Sequence, residues 1–300
     1  MKFSLKSKCA IASLPVVFAA ACVHAQQPGG WATSVDGLAV FQGSADLDDG
    51  GDFSASRAFL RAGAINRFED GSFAGVLFSY GQFNYDFGSS ENAPWEDIRD
   101  IRISVPLRFA LDNGANVFVS PQLRWDYEEG ASASDGFTYG AFGGISWALT
   151  PNLRIGPAIG VFSEIGSDDL EVFPALLVDW SFADRWNLST GGGVGATQGP
   201  GLSLDYAVTD DVKVGLAVRS ERVRFQLDDE GLAPGGVGED SSIPVVLSVQ
   251  YAPNPGMSLT AFAGAEFNGE LTLENSSGRE VSQQDYDTAP IAGLAFQLRF

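Results

Sequence analysis

The sequence predicts an all-β chain closed into an antiparallel transmembrane β-barrel of fourteen strands, with twelve as the alternative count. Three observations predict it. Apolar residues recur at every second position over runs about ten residues long, the mark of strands with one apolar face. Short polar turns and longer polar loops alternate along the chain, as they do when one side of a barrel faces outward. No stretch past the N-terminal leader approaches the roughly 18 consecutive apolar residues that a membrane helix requires.

The strand runs carry this pattern residue by residue. Ile101, Ile103, Val105, Leu107, Phe109 and Leu111 point one way, against Asp100, Arg102, Ser104 and Arg108. Val117, Val119, Leu123, Trp125 and Tyr127 oppose Asn116, Ser120, Gln122, Arg124 and Asp126. Leu170, Val172, Leu176, Val178, Trp180 and Phe182 repeat the pattern, as do Ile243, Val245, Leu247, Val249 and Tyr251. Runs near 35–44 and 72–87 alternate poorly, which predicts bulges there.

Turn chemistry places tight connections at Glu69-Asp70-Gly71, Asp112-Asn113-Gly114, Thr150-Pro151-Asn152, Ala183-Asp184-Arg185, Thr209-Asp210-Asp211 and Pro253-Asn254-Pro255-Gly256. Longer loops are expected near 45–55, 86–97, 128–136, 165–169, 195–200, 228–241 and 268–287. Six turns and seven loops imply fourteen strands, with both termini on the short-turn side. A soluble β-sandwich is the competing architecture, but its strands average only five or six residues.

The first 25 residues read as a cleavable leader: Lys2, Lys6 and Lys8, then an apolar Cys9–Cys22, then Val23-His24-Ala25. The mature chain, residues 26–300, is expected to be a single barrel domain beginning at Gln26. Lipoprotein processing at Cys22 is the alternative, and Ala19 lacks the branched aliphatic character that it usually requires.

Removing the leader removes three Lys and no acid, leaving 15 basic against 38 acidic residues, a net charge of −23. Nucleic acid is not an expected partner of such a chain. Both cysteines (Cys9, Cys22) and the single histidine (His24) lie in the leader. Disulfides, thiolate nucleophiles, Cys/His zinc sites and imidazole-based triads are therefore not expected, and neither is a cofactor.

Strand parity assigns a charged lumenal face. Its lumen-lining candidates are Arg57, Arg61, Asp100, Arg102, Arg108, Arg124, Asp126, Asp179 and Glu266, with Arg67, Arg154, Glu164, Asp205, Lys213, Arg219, Glu221 and Arg299 on the same side. Such charges either filter solutes by sign or brace a closed interior. The lumenal residues of the middle strands are small, namely Gly140, Gly144, Ser146, Ala148, Gly156, Ala158, Gly160, Gly191 and Gly193. They predict open space or room for an infolded loop.

Acidic clusters recur in the loops, at Glu128-Glu129, Asp168-Asp169, Asp228 to Glu230, Glu239-Asp240 and Asp285 with Asp287. They predict a solvated rim that holds divalent cations diffusely against lipopolysaccharide. Asp46 to Asp52 resembles an EF-hand loop only loosely, because Gly50 stands at an oxygen-ligand position and Arg57 at the bidentate Glu position. No specific metal site is expected. Gly191 to Gly195 lacks the strand-turn-helix setting of a phosphate loop and reads as a bent strand. Trp125, Tyr127, Trp147, Trp180, Trp186 and Tyr251 fall at strand ends, as interfacial girdles do.

The final segment, Gly293-Leu294-Ala295-Phe296-Gln297-Leu298-Arg299-Phe300, resembles the terminal recognition strand of Gram-negative outer-membrane barrels. The resemblance implies export through the general secretory route, handling by the barrel-assembly machinery and residence in the outer membrane, with Gly293, Phe296, Leu298 and Phe300 as the assembly signal. The stretch from Phe173-Pro174 through Val237-Gly238-Glu239-Asp240 to Asp287-Thr288-Ala289-Pro290 resembles uncharacterised outer-membrane barrel families. These imply no site. The strand number resembles that of the fatty-acid transporters, but only about nine residues separate Gln26 from the first predicted strand, so their N-terminal hatch is not expected.

The enzymes of this class rely on histidine, so an enzyme is not expected. A passive channel or transporter for ions or small solutes is the reading, and a structural barrel with a closed lumen is the alternative. The acidic rim favours cations at an open pore, while the lumenal arginines oppose it. Deleting Phe300 should lower the amount of protein in the outer membrane and raise its periplasmic degradation, as read by fractionation and immunoblot.

Overall fold

The computed structural model describes residues 29–88, 93–167, 169–191 and 199–300. The expected leader with Cys9, Cys22 and His24, together with Asp168 and Gly192 to Gly195, lies outside the described residues. Among the described residues, fourteen antiparallel strands form one closed sheet. They are β1 (Gly30–Asp46), β2 (Asp52–Arg67), β3 (Phe73–Phe87), β4 (Ile98–Ser104 and Leu107–Ala110), β5 (Ala115–Glu128), β6 (Phe137–Thr150) and β7 (Leu153–Ser163). They continue as β8 (Leu170–Ala183), β9 (Trp186–Thr190), β10 (Gly201–Ala207), β11 (Val212–Arg219 and Glu221–Gln226), β12 (Val237–Asn254), β13 (Met257–Glu274) and β14 (Glu280–Tyr286 and Ala289–Arg299).

Each strand pairs with its successor, and β1 pairs with β14 from Ser34↔Arg299 to Gln42↔Ile291, so the sheet has no free lateral edge there. Phe300 completes this seam by exchanging both backbone hydrogen bonds with Thr33, at 2.9 and 3.0 Å. Closure is what lipid demands, because a free strand edge in hydrocarbon leaves every second N–H and C=O without a partner. Phe296 stands on the outer face of the seam with its ring over Gly37, where any β-carbon would collide with it. Gly293 sits opposite, where a side chain would strike the Ala39 carbonyl and the Phe262 ring.

The short turns form where their chemistry places them. Gly71 and Gly114 take positive φ of 85° and 79°, and Asp70 and Asn113 accept hydrogen bonds from the backbone N–H two residues on. In the third and fourth turns, Thr150 accepts from the Asn152 N–H, and Arg185 adopts a φ of 67°.

Along β13, Met257, Leu259, Ala261, Ala263, Ala265 and Phe267 face outward. At about 3.4 Å per residue and a tilt near 40°, this run spans roughly 25 Å, the height of the apolar band of an outer-membrane barrel. Asn268, with a φ of 50°, then forms a bulge against Ser241 and Ile243, and the pattern inverts. Leu271 and Leu273 are buried inside while Glu270, Thr272 and Glu274 point out. The same inversion occurs in β2, β3 and β11, where Phe53, Phe83, Val223 and Phe225 lie inside and Ser54, Asn84, Arg222 and Arg224 lie outside. Above the lipid the outer face meets water and the inner face becomes a core.

This inversion corrects two expectations. The β3 run alternates poorly with no bulge, and its register against β2 is unbroken from Phe53↔Phe87 to Arg67↔Phe73. The bulge expected in β1 is present, between Gln42 and Ala45. The polar segments 228–241 and 268–287 are also less loop than expected, because β12 begins at Val237 and β13 and β14 extend to Glu274 and back from Glu280. Glu239, Glu270 and Glu274 belong to the outer faces of projecting strands, whereas Asp240 points inward and is buried.

The topology generates a direct test. In a mature chain without other cysteines, Asn275→Cys at the tip of the β13–β14 hairpin should react with an impermeant maleimide on intact cells. Asn113→Cys in a short turn should not react. The reverse pattern overturns the orientation.

Candidate functional site

Alternate residues of all the strands point into the barrel, so the candidate site is the lumen, which is stratified. Nearest the short turns is a polar cavity of about 700 Å³. Hydroxyls and amides line it, including Ser79, Ser104, Ser120, Gln122, Ser248 and Thr260, together with the charged Asp36, Arg61, Arg102, Asp205, Lys213 and Arg219. Above it Val40, Ala217, Val246, Phe262 and Ile291 form a buried apolar cluster.

A layer of buried charge comes next. Arg57, 2% exposed, bonds Glu266 through Nη1–Oε1 at 2.6 Å and Nη2–Oε2 at 3.3 Å, and its Nη2 also reaches Gln42 at 3.0 Å and Asp240 at 3.5 Å. Tyr85 and Tyr286 donate their hydroxyls to Asp240 at 2.8 and 3.1 Å. Beside them Arg124 pairs with Asp126 at 2.7 Å and Asp100 at 3.7 Å, and Arg102 pairs with Asp100 at 3.2 Å. A guanidinium out of water is tolerated only where acceptors offset its desolvation, and this layer supplies carboxylates from strands far apart in sequence.

The end opposite the short turns is capped by a core of side chains from β1 to β4, β11, β13, β14 and the β11–β12 loop. Phe53, Phe83, Ile98 and Phe225 are fully buried, with Trp95 3% exposed. Trp95 meets Phe225 and Tyr85 edge to face at centroid distances of 5.0 and 5.5 Å, and Phe53 meets Tyr286 at 5.0 Å. One parallel bridge, Gln226↔Tyr127, brings the outer half of β11 directly to β5. Strands β6 to β10 are excluded from the ring at that height. The Glu128 carboxylate clamps the junction, accepting from the N–H groups of Asp228 at 2.9 Å and Glu96 at 2.6 Å.

The outer half of β11 carries a second set of ion pairs on its other face. Arg222 pairs with Glu239 and Glu164 at 2.8 and 2.7 Å, and Arg224 with Glu239 and Glu274 at 3.1 and 2.6 Å. Arg224 Nε also donates to the Ile165 carbonyl at 3.1 Å. These contacts hold the β7–β8 loop against β11.

All nine lumen-lining candidates point inward, but at different levels. Arg61 and Arg102 line the cavity, and Arg57, Asp100, Asp126 and Glu266 are buried above it with Arg124 beside them. Arg108 and Asp179 lie on the inner face nearer the short turns. Glu164 is in the β7–β8 loop rather than on a strand. The small residues of the middle strands are partly filled by neighbours of the same parity. Phe162 and Phe173 cover Gly140 and Gly160, and Phe118, Phe142, Phe173 and Phe162 stack in a row at 5.4 to 6.0 Å. Sequence reasoning missed the cap residues Phe53, Phe83, Trp95 and Phe225, and the Asp240, Tyr85, Tyr286 and Gln42 partners of Arg57. The signal that finds the cap is the inverted alternation Arg222-Val223-Arg224-Phe225.

No protein-family model matches the sequence, and no curated protein matches it significantly. The fold is similar to solved outer-membrane barrels. An outer membrane channel from Pseudomonas putida F1 aligns over 92% of this chain and 97% of its own with a TM-score of 0.50 and 10% identity. The Pseudomonas putida toluene transporter TodX aligns over 92% and 91% at a TM-score of 0.43 and 10% identity. The NanC porin aligns over 87% and 98% at 0.36 and 12% identity. The likeness is one of fold: the chain is a closed antiparallel β-barrel of the kind these outer-membrane proteins have.

The buried charge generates a stability order. Glu266→Ala removes the shortest ion pair of Arg57 and leaves it Gln42 and the more distant Asp240, which should cost about 3 kcal/mol. The triple variant Arg57→Met/Asp240→Asn/Glu266→Leu, which removes all three charges and nearly keeps volume, should be markedly more stable than the single one. The temperature at which the compact gel form is lost measures both.

Proposed function

We propose that this protein is a passive channel or transporter for ions or small polar solutes, exported with loss of residues 1–25, inserted by the barrel-assembly machinery and bordered by lipopolysaccharide. The observation that carries the reading is the polar cavity of about 700 Å³, large enough for a small hydrated solute and lined by hydroxyls, amides and charges. A purely structural barrel has no need of such a space. The fold-level likeness to an outer membrane channel supports the reading. The acidic outer loops are a solvated rim that gathers divalent cations diffusely, and the role is transport rather than catalysis.

In the conformation described, the apolar cap closes the outward end, so passage requires the cap to yield. The alternative, a structural barrel, is favoured by the completeness of that cap, whose largest rings are fully buried.

Single-channel recording of the refolded protein separates the two. The wild type should give small or infrequent ohmic openings, and Phe225→Ala/Trp95→Ala should give larger or longer ones while retaining the compact gel form. Silence of both proteins across several preparations supports the structural barrel.

A further inference from the structure

We infer that the short-turn half of the lumen is a binding site for a small anion bearing carboxylate or phosphate, although the chain as a whole is strongly acidic. The inference rests on the channel reading for its purpose, though not for its chemistry. Four cations, Arg61, Arg102, Lys213 and Arg219, line the cavity against two acids, Asp36 and Asp205. Closer to the short turns the inner faces add Arg67, Arg108, Arg154 and Arg299 against Asp179.

Pairing leaves much of this positive charge uncompensated. Arg61 is held by Asp36 at 3.2 Å and Arg102 by Asp100 at 3.2 Å. Among the described residues, Arg67, Arg108, Arg154, Lys213 and Arg299 form no ion pair within 4.0 Å. Arg154 donates only to the Ser146 carbonyl, at 3.4 Å, and the buried Nε atoms of Arg102 and Arg108 have no hydrogen-bond partner. These donors come from separate strands: Lys213 and Arg102 line the cavity, and Arg67, Arg108, Arg154 and Arg299 follow on the inner faces between it and the short turns.

The acids that dominate the net charge are placed where they oppose this field least. Asp126, Asp240 and Glu266 are buried beyond the apolar cluster, where Arg57 and Arg124 offset two of their three charges. Glu69, Asp70, Asp112, Asp184, Asp210 and Asp211 sit on the short turns in solvent, where salt screens them within roughly 8 to 10 Å. Cations fixed inside a low-dielectric wall act on a solute over shorter, less screened distances. The lumen therefore selects the sign opposite to the one that the rim and the net charge favour. Serine and glutamine groups around the cations supply hydrogen bonds for the neutral part of an organic anion.

Calorimetric titration of the refolded protein with citrate, with inorganic phosphate in parallel and glucose as the uncharged control, tests this directly. Binding of citrate or phosphate, and not glucose, is expected; which of the two binds more tightly identifies the anionic group. Lys213→Gln/Arg154→Gln should weaken binding about tenfold or more, the worth of one or more charge-assisted hydrogen bonds. Asp205→Asn should strengthen it, and a general folding defect cannot produce that opposite change. Reversal potentials in a potassium chloride gradient should show anion preference that falls in the Lys213→Gln/Arg154→Gln variant. Anion binding without conductance would retire the channel reading and leave the site. Conductance with cation preference and no anion binding, or binding indifferent to Lys213 and Arg154, overturns the site.

Discussion

Backbone hydrogen bonding in a medium without water is the constraint from which the rest of this structure follows. In hydrocarbon an unpaired N–H or C=O costs several kcal/mol, so the sheet must return on itself. The β1–β14 seam does this, and Phe300 extends it to the last residue. Once the sheet is closed, side-chain parity separates a lipid face from a lumenal face with no further freedom. The tight fits at Gly37 and Gly293, next to the Phe296 and Phe262 rings, show how closely the seam is packed on both sides.

The same strands continue past the lipid, and there the solvent on the outer face changes from hydrocarbon to water. The alternation inverts in β2, β3, β11 and β13, and the lumen fills with Phe53, Phe83, Trp95, Phe225 and Leu273. One chain thus contains two packing regimes, a lipid-facing barrel with a wet interior and a water-facing barrel with a dry one. The buried ion layer around Arg57 lies at their junction. It combines residues from β1, β2, β3, β12, β13 and β14, so it forms only when the first and last strands have met at the seam.

Charge follows the same division. Acids collect where water solvates them or where arginines neutralise them, and uncompensated cations remain on the lumenal wall near the short turns. Net charge is consequently a poor guide to the potential a solute meets inside. The relevant quantity is the charge that a low-dielectric wall holds at short range.

Alternation, turn chemistry and the terminal strand were enough by themselves to predict the barrel, fourteen strands over the alternative of twelve, the positions of the short turns and the inward direction of Arg57, Asp100, Arg102, Arg124 and Glu266. These are local properties: strand parity has period two, and turn residues act on their own neighbours. Only the tertiary structure decided which inward charges meet. Arg57 and Glu266 are 209 positions apart, and no periodicity relates them. It also decided that Val223 and Phe225 seal the end opposite the short turns, because that depends on the outer half of β11 reaching β5 across the ring at Gln226↔Tyr127. Parity says which way a side chain points, and only closure of the ring says what it meets there.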